Sequence, residues 1–550
     1  MNKKVCSFPI LFALLALLIG TCAVVFPASA QAAPTSTGSI TVSGTVASSY
    51  DAYQIFSANV VDGDSDAKIA TDLAWANDAA RDAVLPVLHS AGMPNSQTTA
   101  QEAAEWLNAD SHLTSALSAQ LARSLQSPGA VSVALNAGTT AELSCGYWLI
   151  VADDDAISQN EAGTAPIMAL VGGSAVTVKP KAATPKVQKH VLEDGTAAWQ
   201  KAADATVADD LYWRLSATVP VGLTAYDTYT VRFVDTMSAG LDPSKVAASM
   251  RVYVAAGTDG GFDAVQTGKD GRAGTESAKG WTDITAQCRV SVDGKTFTVR
   301  TGDLIAALGG ADAFTAGARV VAVYNAPLNS ACSHGIAKGN PNEVYLRYPR
   351  SPLADQSGDA GFTRTPSDDA CAYTWGLSLI KRSSPDDKPL AGAKLRIIDD
   401  RGRILTTDGS WSTDADACIT TDADGHVELS GVDAGVYTVE EIAAPKGYTA
   451  FEGKRTVTVT AEGLDVKQVA TAKPKVTVSV ENPLRVDTAD ARTGSIELSV
   501  LNTPSKEAGR GFMPSTGDRT LVLVAVLAAI GVAAIVVALV IKRGGGRREK

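Results

Sequence analysis

Histidine, cysteine and aromatic residues are scarce in this chain, and each shortage excludes something. With 5 His among 550 residues, there is little material for imidazole catalysis or for a zinc site, and no HExxH pair occurs. There is no GxxxxGK[ST] loop to cradle phosphates and no GxSxG elbow to expose a nucleophilic serine. Asp62, Asp64 and Asp66 begin like a calcium loop. Ala67 then stands where the sixth position needs glycine, and Leu73 where the twelfth needs a bidentate glutamate, so a solvated acidic turn is the better reading. No metal, no cofactor and no enzymatic centre are expected.

Long apolar runs are confined to the two ends. Asn2-Lys3-Lys4 precedes an apolar run from Ile10 to Val25, and Ala28-Ser29-Ala30 fits a small-residue cleavage site, so residues 1–30 read as a secretory signal peptide. At the other end, Leu521 to Ile541 is an uncharged stretch of Val, Ala, Leu and Ile. As a helix it rises about 32 Å, enough to span a bilayer core as a transmembrane helix. The basic tail behind it, from Lys542, stays cytoplasmic by the positive-inside rule. Just before the span stands Met513-Pro514-Ser515-Thr516-Gly517. This pentapeptide resembles the LPXTG sorting signal of Gram-positive surface proteins, with Met in place of the usual Leu. The order motif, span, basic tail (residues 513–550) reads as a cell-wall sorting signal. The protein is therefore expected to be secreted and anchored to the cell wall, with a membrane-bound state only as precursor.

The chain has 48 basic and 59 acidic residues, a net charge of −11. The two ends carry 8 of the basic residues and 2 of the acidic ones, so the body between them, at −17, is more acidic still. An acidic surface without a basic run argues against nucleic acid as a partner. Outside the leader five cysteines remain: Cys145, Cys288, Cys332, Cys371 and Cys418. Export to an oxidising compartment makes pairing the default, and the odd count leaves one over. Spacing does not fix connectivity; pairing within domains gives Cys288–Cys332 and Cys371–Cys418 as candidates.

The body is long enough for roughly three to four domains. The first, residues 31–180, opens with Ser39-Ile40-Thr41-Val42-Ser43-Gly44-Thr45-Val46, a strand by its period of two. Ala52 to Phe56 follows as a second strand. From Lys68 to Leu125 the texture turns to Ala, Leu, Gln and Glu, which predicts two or three helices. Strands return at 130–135, 146–152 and 167–178. Lys179 to Lys186 is a Pro- and Lys-punctuated linker. Residues 181–352 form a second region dominated by strand-like runs, with a short helix at 301–308. A loose Asp/Gly/Ser/Pro-rich joint covers 351–369. Residues 370–504 are again strands and turns, the clearest hairpin being Thr420 to Val427 around Asp424-Gly425. No period of 20–50 residues repeats, so these are separate modules. The fold expected is mainly β: tandem immunoglobulin-like sandwiches, the first with a helical insertion.

In the third region, alternation along Leu377-Ser378-Leu379-Ile380-Lys381 puts Lys381 on the core face. An inward unpaired ammonium costs several kcal/mol, so such a lysine is paired, neutral or covalently consumed. Alternation from Tyr437 likewise turns Glu441 inward and Glu440 outward. The region contains Pro389-Leu390-Ala391-Gly392-Ala393 and Thr421-Asp422-Ala423-Asp424-Gly425. It continues with Tyr437 through Glu441 to Ala444-Pro445-Lys446-Gly447-Tyr448, and closes on a last strand ending at Asn502. In order and wording these motifs resemble the CnaB-type domain of Gram-positive pilins. The resemblance implies an internal isopeptide bond from Lys381 to Asn502, promoted by Glu441. The competing reading is a buried Lys–Glu ion pair.

The second region is similar to the middle domain of backbone pilins through Val187-Gln188-Lys189-His190-Val191, Val231 to Leu241 and Gly339 to Tyr348. This implies a second bond, Lys189 to Asn342, with Asp235 as the acid. The family's "YSNNP" ending is replaced here by Tyr348-Pro349-Arg350-Ser351-Pro352, which leaves Asn342 as the amide. A Lys–Asp ion pair with a strand-edge Asn is the alternative. Val176-Thr177-Val178-Lys179-Pro180-Lys181 resembles the pilin motif, with Lys179 where the family has Tyr, and makes Lys181 the amine that attacks the next subunit. Together the resemblances imply a major pilin of a covalently polymerised fimbria. Sortase would join Thr516 of one copy to Lys181 of another. The partners implied are a pilin-specific and a housekeeping sortase, further copies of the chain, a tip pilin and peptidoglycan, with adhesion to an unspecified host ligand. A monomeric wall-anchored adhesin using the same domains as a stalk is the alternative.

Overall fold

The structure is a computed structural model; it describes residues 36–505 apart from 64–66, 110, 127–129, 164, 182–183, 222, 258–280, 408, 467–468 and 472. The signal peptide, the sorting motif Met513–Gly517 and the apolar span lie outside these residues. Among the described residues no helix is long and apolar enough to cross a membrane. Strands in tandem two-sheet units dominate, in agreement with the mainly-β expectation.

In the first unit the alternating strand Thr37–Val42 buries Ile40 and Val42. It pairs antiparallel with Thr140–Ser144 and parallel with Val176–Val178. Across from this small sheet lies a five-stranded one built on the 14-residue strand Ser49–Asp62. Its two faces have different covers. Ala52, Trp148 and Ile150 meet the small sheet, whereas Ile55 and Leu149 meet the helices. Three helices cover that second face: Asp78–Ser90, Ala100–Asn108 and Ser115–Leu125. Each begins at a polar cap, Asn77, Thr99 or Thr114, whose side chain accepts from a first-turn N–H. Val84, Leu88, Leu107, Leu117 and Leu121 turn inward from them. The helical expectation began too early, since Lys68–Trp75 is a strand paired with Ser49–Asp62. The run at 167–178 is two strands, broken at Gly172 and Gly173, whose φ values of 129° and 63° suit glycine.

The middle unit packs a six-stranded sheet on a seven-stranded one. Val187–Glu193, Tyr212–Thr218 and Arg319–Asn325 are neighbours in the first sheet, and Asn340–Pro349 and Arg232–Met237 in the second. Trp213, Phe233, Phe297, Tyr324 and Tyr348 fill the space between. The expected joint at 351–369 is not a linker. Phe362–Arg364 and Asp368–Tyr373 are strands of the second sheet, paired with Asn340–Pro349, so the middle unit extends to Tyr373. The Asp, Gly, Ser and Pro residues of that stretch serve the turn between these strands.

In the third unit the first strand, Trp375–Ser383, lies between His426–Val432 and the last strand, Ser495–Pro504. First and last run parallel, with Lys381 opposite Val500 and Ser383 opposite Asn502. The facing sheet includes Lys394–Ile398, Gly435–Ala443 and Lys454–Glu462. The turn at Asp422–Gly425 is present, with Asp422 accepting from the N–H groups of Asp424 and His426. It does not close a hairpin: Ile419–Thr420 pairs in one sheet and His426–Val432 in the other, so the turn carries the chain between layers.

The middle and third units share a polar junction. Asp204 accepts from Trp375 Nε1 at 2.7 Å and from the Ala434 N–H at 2.9 Å. Val207 N–H donates to Gly431 O, and Arg403 holds Asp209 with both terminal guanidinium nitrogens. Burial raises the Asp204 and Asp433 carboxyls, which are hydrogen-bonded to each other. The disulfide candidates are not formed; all five cysteines in the described residues are free thiols. Cys288 donates to Ile284 O, and Cys371 is buried in the core with its thiol directed at Ala372 O.

Candidate functional sites at two buried lysines

Lys381 is 0% exposed, as its place on the inward face of a central strand requires. Its amine nitrogen donates to Asn502 Oδ1 at 2.5 Å and lies 3.0 Å from Glu441 Oε1. Asn502 Nδ2 donates to the same Glu441 oxygen at 2.8 Å. The parallel register of first and last strands brings lysine and asparagine side by side, and the facing sheet supplies the acid. The second oxygen of Glu441 accepts from the Phe451 N–H at 3.0 Å, which fixes the carboxyl's orientation. The Phe451 ring covers the amine at 5.2 Å. Loss of hydration pushes the Lys381 amine down to about 8, so a neutral, nucleophilic form is within reach near neutrality. Of the two carboxylates in Glu440-Glu441, only Glu441 enters this site; Glu440 is half-buried and pairs with Arg396 at 3.3 Å.

The second site has the same three residue types in another arrangement. Lys189, Asp235 and Asn342 are all fully buried, and Lys189 Nζ bonds Asp235 Oδ2. Asn342, however, makes no hydrogen bond to either. Its Nδ2 donates instead to the Tyr324 hydroxyl at 2.8 Å, and Lys189 donates to the same hydroxyl at 2.9 Å. The remaining oxygens, Asp235 Oδ1 and Asn342 Oδ1, are buried without a hydrogen-bond partner. Trp213 and Tyr324 rings flank the amine, each 5.4 Å from it. Burial lowers the Lys189 amine to about 8 and raises the Asp235 carboxyl, so it favours the neutral amine and the neutral acid together.

The sequence motifs thus name six residues that the fold gathers into two buried clusters. They miss Tyr324, which stands in the strand Arg319–Asn325. Its alternation with Ala322 and Val320 marks it as a core aromatic, and no local pattern reveals that its hydroxyl meets Asn342 from the opposite sheet.

Residues 376–474 match a family model described as SpaA, a prealbumin-like fold domain. The third unit is thus similar to this family over most of its length. The resemblance to pilin domains read from its motifs is thereby borne out. The chain is also similar to the trypsin-resistant surface T6 protein of Streptococcus pyogenes serotype M6, with 26% identity over 167 residues. That match spans 29% of this chain and 29% of the relative. Among solved structures, the T6 backbone pilin of serotype M6 S. pyogenes aligns at 15% identity and a TM-score of 0.47, covering 85% of this chain and 98% of that one. The full-length major pilin SpaD of Corynebacterium diphtheriae aligns at 14% identity and a TM-score of 0.43, covering 86% and 100%.

The third unit holds the Lys381 site, and the unit before it the Lys189 site. Lys181 belongs to neither cluster. It is exposed, three residues beyond the short strand Val176–Val178 that closes the first unit's small sheet. Thr516 and the rest of the sorting motif lie outside the described residues.

Proposed function

We propose that this chain is the structural major subunit of a covalently polymerised cell-surface pilus, stabilised internally by Lys–Asn isopeptide bonds. The observation that carries this reading is the buried triangle Lys381–Glu441–Asn502, with all three polar groups within 3.0 Å of one another. The Lys381 nitrogen attacks the Asn502 side-chain carbonyl carbon, the bond to Nδ2 breaks, and ammonia leaves. One amine hydrogen must reach the departing nitrogen. Glu441 Oε1 touches both nitrogens and can take the proton from one and give it to the other. The products are an amide and ammonia with no net change in charge. In the middle domain Lys189 is the corresponding amine, Asn342 the amide and Asp235 the acid beside the amine.

Such bonds route tension through covalent links inside each subunit, which suits a shaft. Between subunits, the exposed Lys181 supplies the attacking amine, and a pilin sortase holding Thr516 as a thioester supplies the acyl group. Glycine 517 and the segment behind it leave at that step. A housekeeping sortase then joins the finished polymer to peptidoglycan, a tip pilin caps it, and adhesion is the outcome at the cell surface. The chain is in this reading a sortase substrate and not itself an enzyme.

Lys181→Ala tests the intersubunit joint. Wall extracts of the variant are expected to lose the high-mass ladder on denaturing gels and keep the monomer. A persisting ladder means that another lysine is the joint. Tandem mass spectrometry of purified filaments names every branched lysine at once.

A further inference from the structure

We infer that Tyr324 is a catalytic member of the middle-domain site, carrying a proton between Asp235 and the leaving nitrogen of Asn342. The inference rests on the reading of Lys189 and Asn342 as bond partners. Its ground is the difference in reach between two acids. Glu441 Oε1 sits 2.8 Å from Asn502 Nδ2. Asp235 is one methylene shorter, bonds the lysine, and has no hydrogen bond to Asn342. The Tyr324 hydroxyl fills the gap, 3.1 Å from Asp235 Oδ2, 2.8 Å from Asn342 Nδ2 and 2.9 Å from Lys189 Nζ. It is the hydrogen-bond partner common to all three reacting groups.

The hydroxyl is also held in place. Tyr324 is fully buried in the strand Arg319–Asn325, and the Phe297 ring packs edge-on at 4.7 Å between centroids. With Asp235 protonated, its O–H donates to Tyr324 and the tyrosine O–H turns to Asn342 Nδ2. As the Lys189 nitrogen bonds to the Asn342 carbonyl carbon, Nζ gives a proton to Asp235. Asp235 gives its own to Tyr324, and Tyr324 gives its own to Nδ2. The carbon–Nδ2 bond breaks and ammonia leaves. Asp235 and Tyr324 end as they began, so the step balances without a further reactant. The third domain needs no such relay; Phe451, an aromatic with no hydroxyl, covers its lysine.

The test is Tyr324→Phe in the full chain, produced in short expression pulses, with branched Lys189 and Lys381 quantified by tandem mass spectrometry. Proton transfer by a positioned group contributes about 10²-fold or more, so Lys189 branching should slow by at least about 10²-fold. Lys381 branching in the same molecules should keep its wild-type rate. The double variant Asp235→Glu/Tyr324→Phe, whose longer acid reaches Asn342 directly, should recover most of the rate. Wild-type Lys189 branching in Tyr324→Phe overturns the inference and leaves the bond itself intact. Loss of both branches, or a slow single variant that the longer acid does not rescue, marks the hydroxyl as a packing group and also overturns it. A wild-type chain with unbranched Lys189 sinks the parent reading instead.

Discussion

The Lys381 and Lys189 sites contain the same functional groups, yet one closes as a triangle and the other as a star around a tyrosine. In the triangle the acid is a glutamate from the facing sheet, and one oxygen reaches both nitrogens. In the star the acid is an aspartate that reaches only the amine, and a hydroxyl from the lysine's own sheet reaches the amide. The chemistry sets the inventory, an amine whose charge burial disfavours, an acid and a carboxamide. The scaffold sets how far a proton must travel. A one-methylene change in the acid is therefore not conservative unless a second group makes up the distance.

Shortening the acid of the triangle is the most severe way to break this comparison. Glu441→Ala should abolish the third-domain bond, leaving the domain at full mass with no ammonia lost. Lys381 and Asn502 are 121 residues apart, so on loop-closure grounds the lost link costs about 5 kcal/mol of stability, read by denaturant unfolding. Glu441→Asp is the sharper probe. Aspartate is the acid of the middle domain, but here no tyrosine bridges it to the amide, so branching should slow about 10²-fold. A Glu441→Asp domain that cross-links at the wild-type rate removes acid length as the difference between the sites.

The second test uses pH. In Asn502→Ala the Lys381 amine stays titratable inside the fold. Its folded value is about 8 and its ordinary value 10.5. Below about 8 folded and unfolded chains both carry the proton, and the cost of burying it is fully present. Between about 8 and 10.5 the unfolded chain holds a proton that the folded chain has shed, so stability rises with pH, by up to about 3 kcal/mol. In the cross-linked wild type proposed above the nitrogen is an amide and gives no such slope. Asn342→Ala should behave alike at Lys189, whose amine is lowered to the same value. Urea unfolding from pH 7 to 10.5 measures both slopes, and a flat curve in either variant refutes a buried titrating amine at that site.

How much of this was legible beforehand follows from the range of each signal. Alternation within one strand turned Lys381 and Glu441 inward, and both are buried as expected. The Asp424-Gly425 turn was also legible, Gly425 having a φ of 72°. Which sheet its flanking strands join was not, because that depends on pairings with Lys394–Ile398 and Trp375–Ser383 rather than on the turn. Residues 351–369 have linker composition, yet part of that stretch pairs with the edge of Asn340–Pro349. Tyr324 was hidden for the same reason as the sheet assignments. Its contacts with Lys189, Asp235 and Asn342 join residues 135, 89 and 18 positions away, which no short motif encodes.

The smallest expected effect concerns whether the two sites can be read separately at all, since their domains meet at the Asp204–Asp433 junction. Burial raises both carboxyls, and Asp433 is raised further by the charge of Asp204. Above the ordinary carboxylate value the folded junction keeps a proton that the unfolded chain has released, so its contribution to stability falls as pH rises. Asp204→Asn leaves an acceptor for Trp375 Nε1 and the Ala434 N–H but removes one of the acidic groups gathered there, which are Asp204, Asp433, Glu193 and Asp194. Compared at pH 5 and pH 8 by urea unfolding, the variant should lose less stability than the wild type over that interval. Hydrogen exchange at the Val207 and Ala434 amides, both bonded across the junction, locates the effect. If these amides exchange identically in the two proteins at both pH values, the carboxyl pair does not hold the domains together. The stability losses at Lys381 and Lys189 can then be assigned to each domain alone.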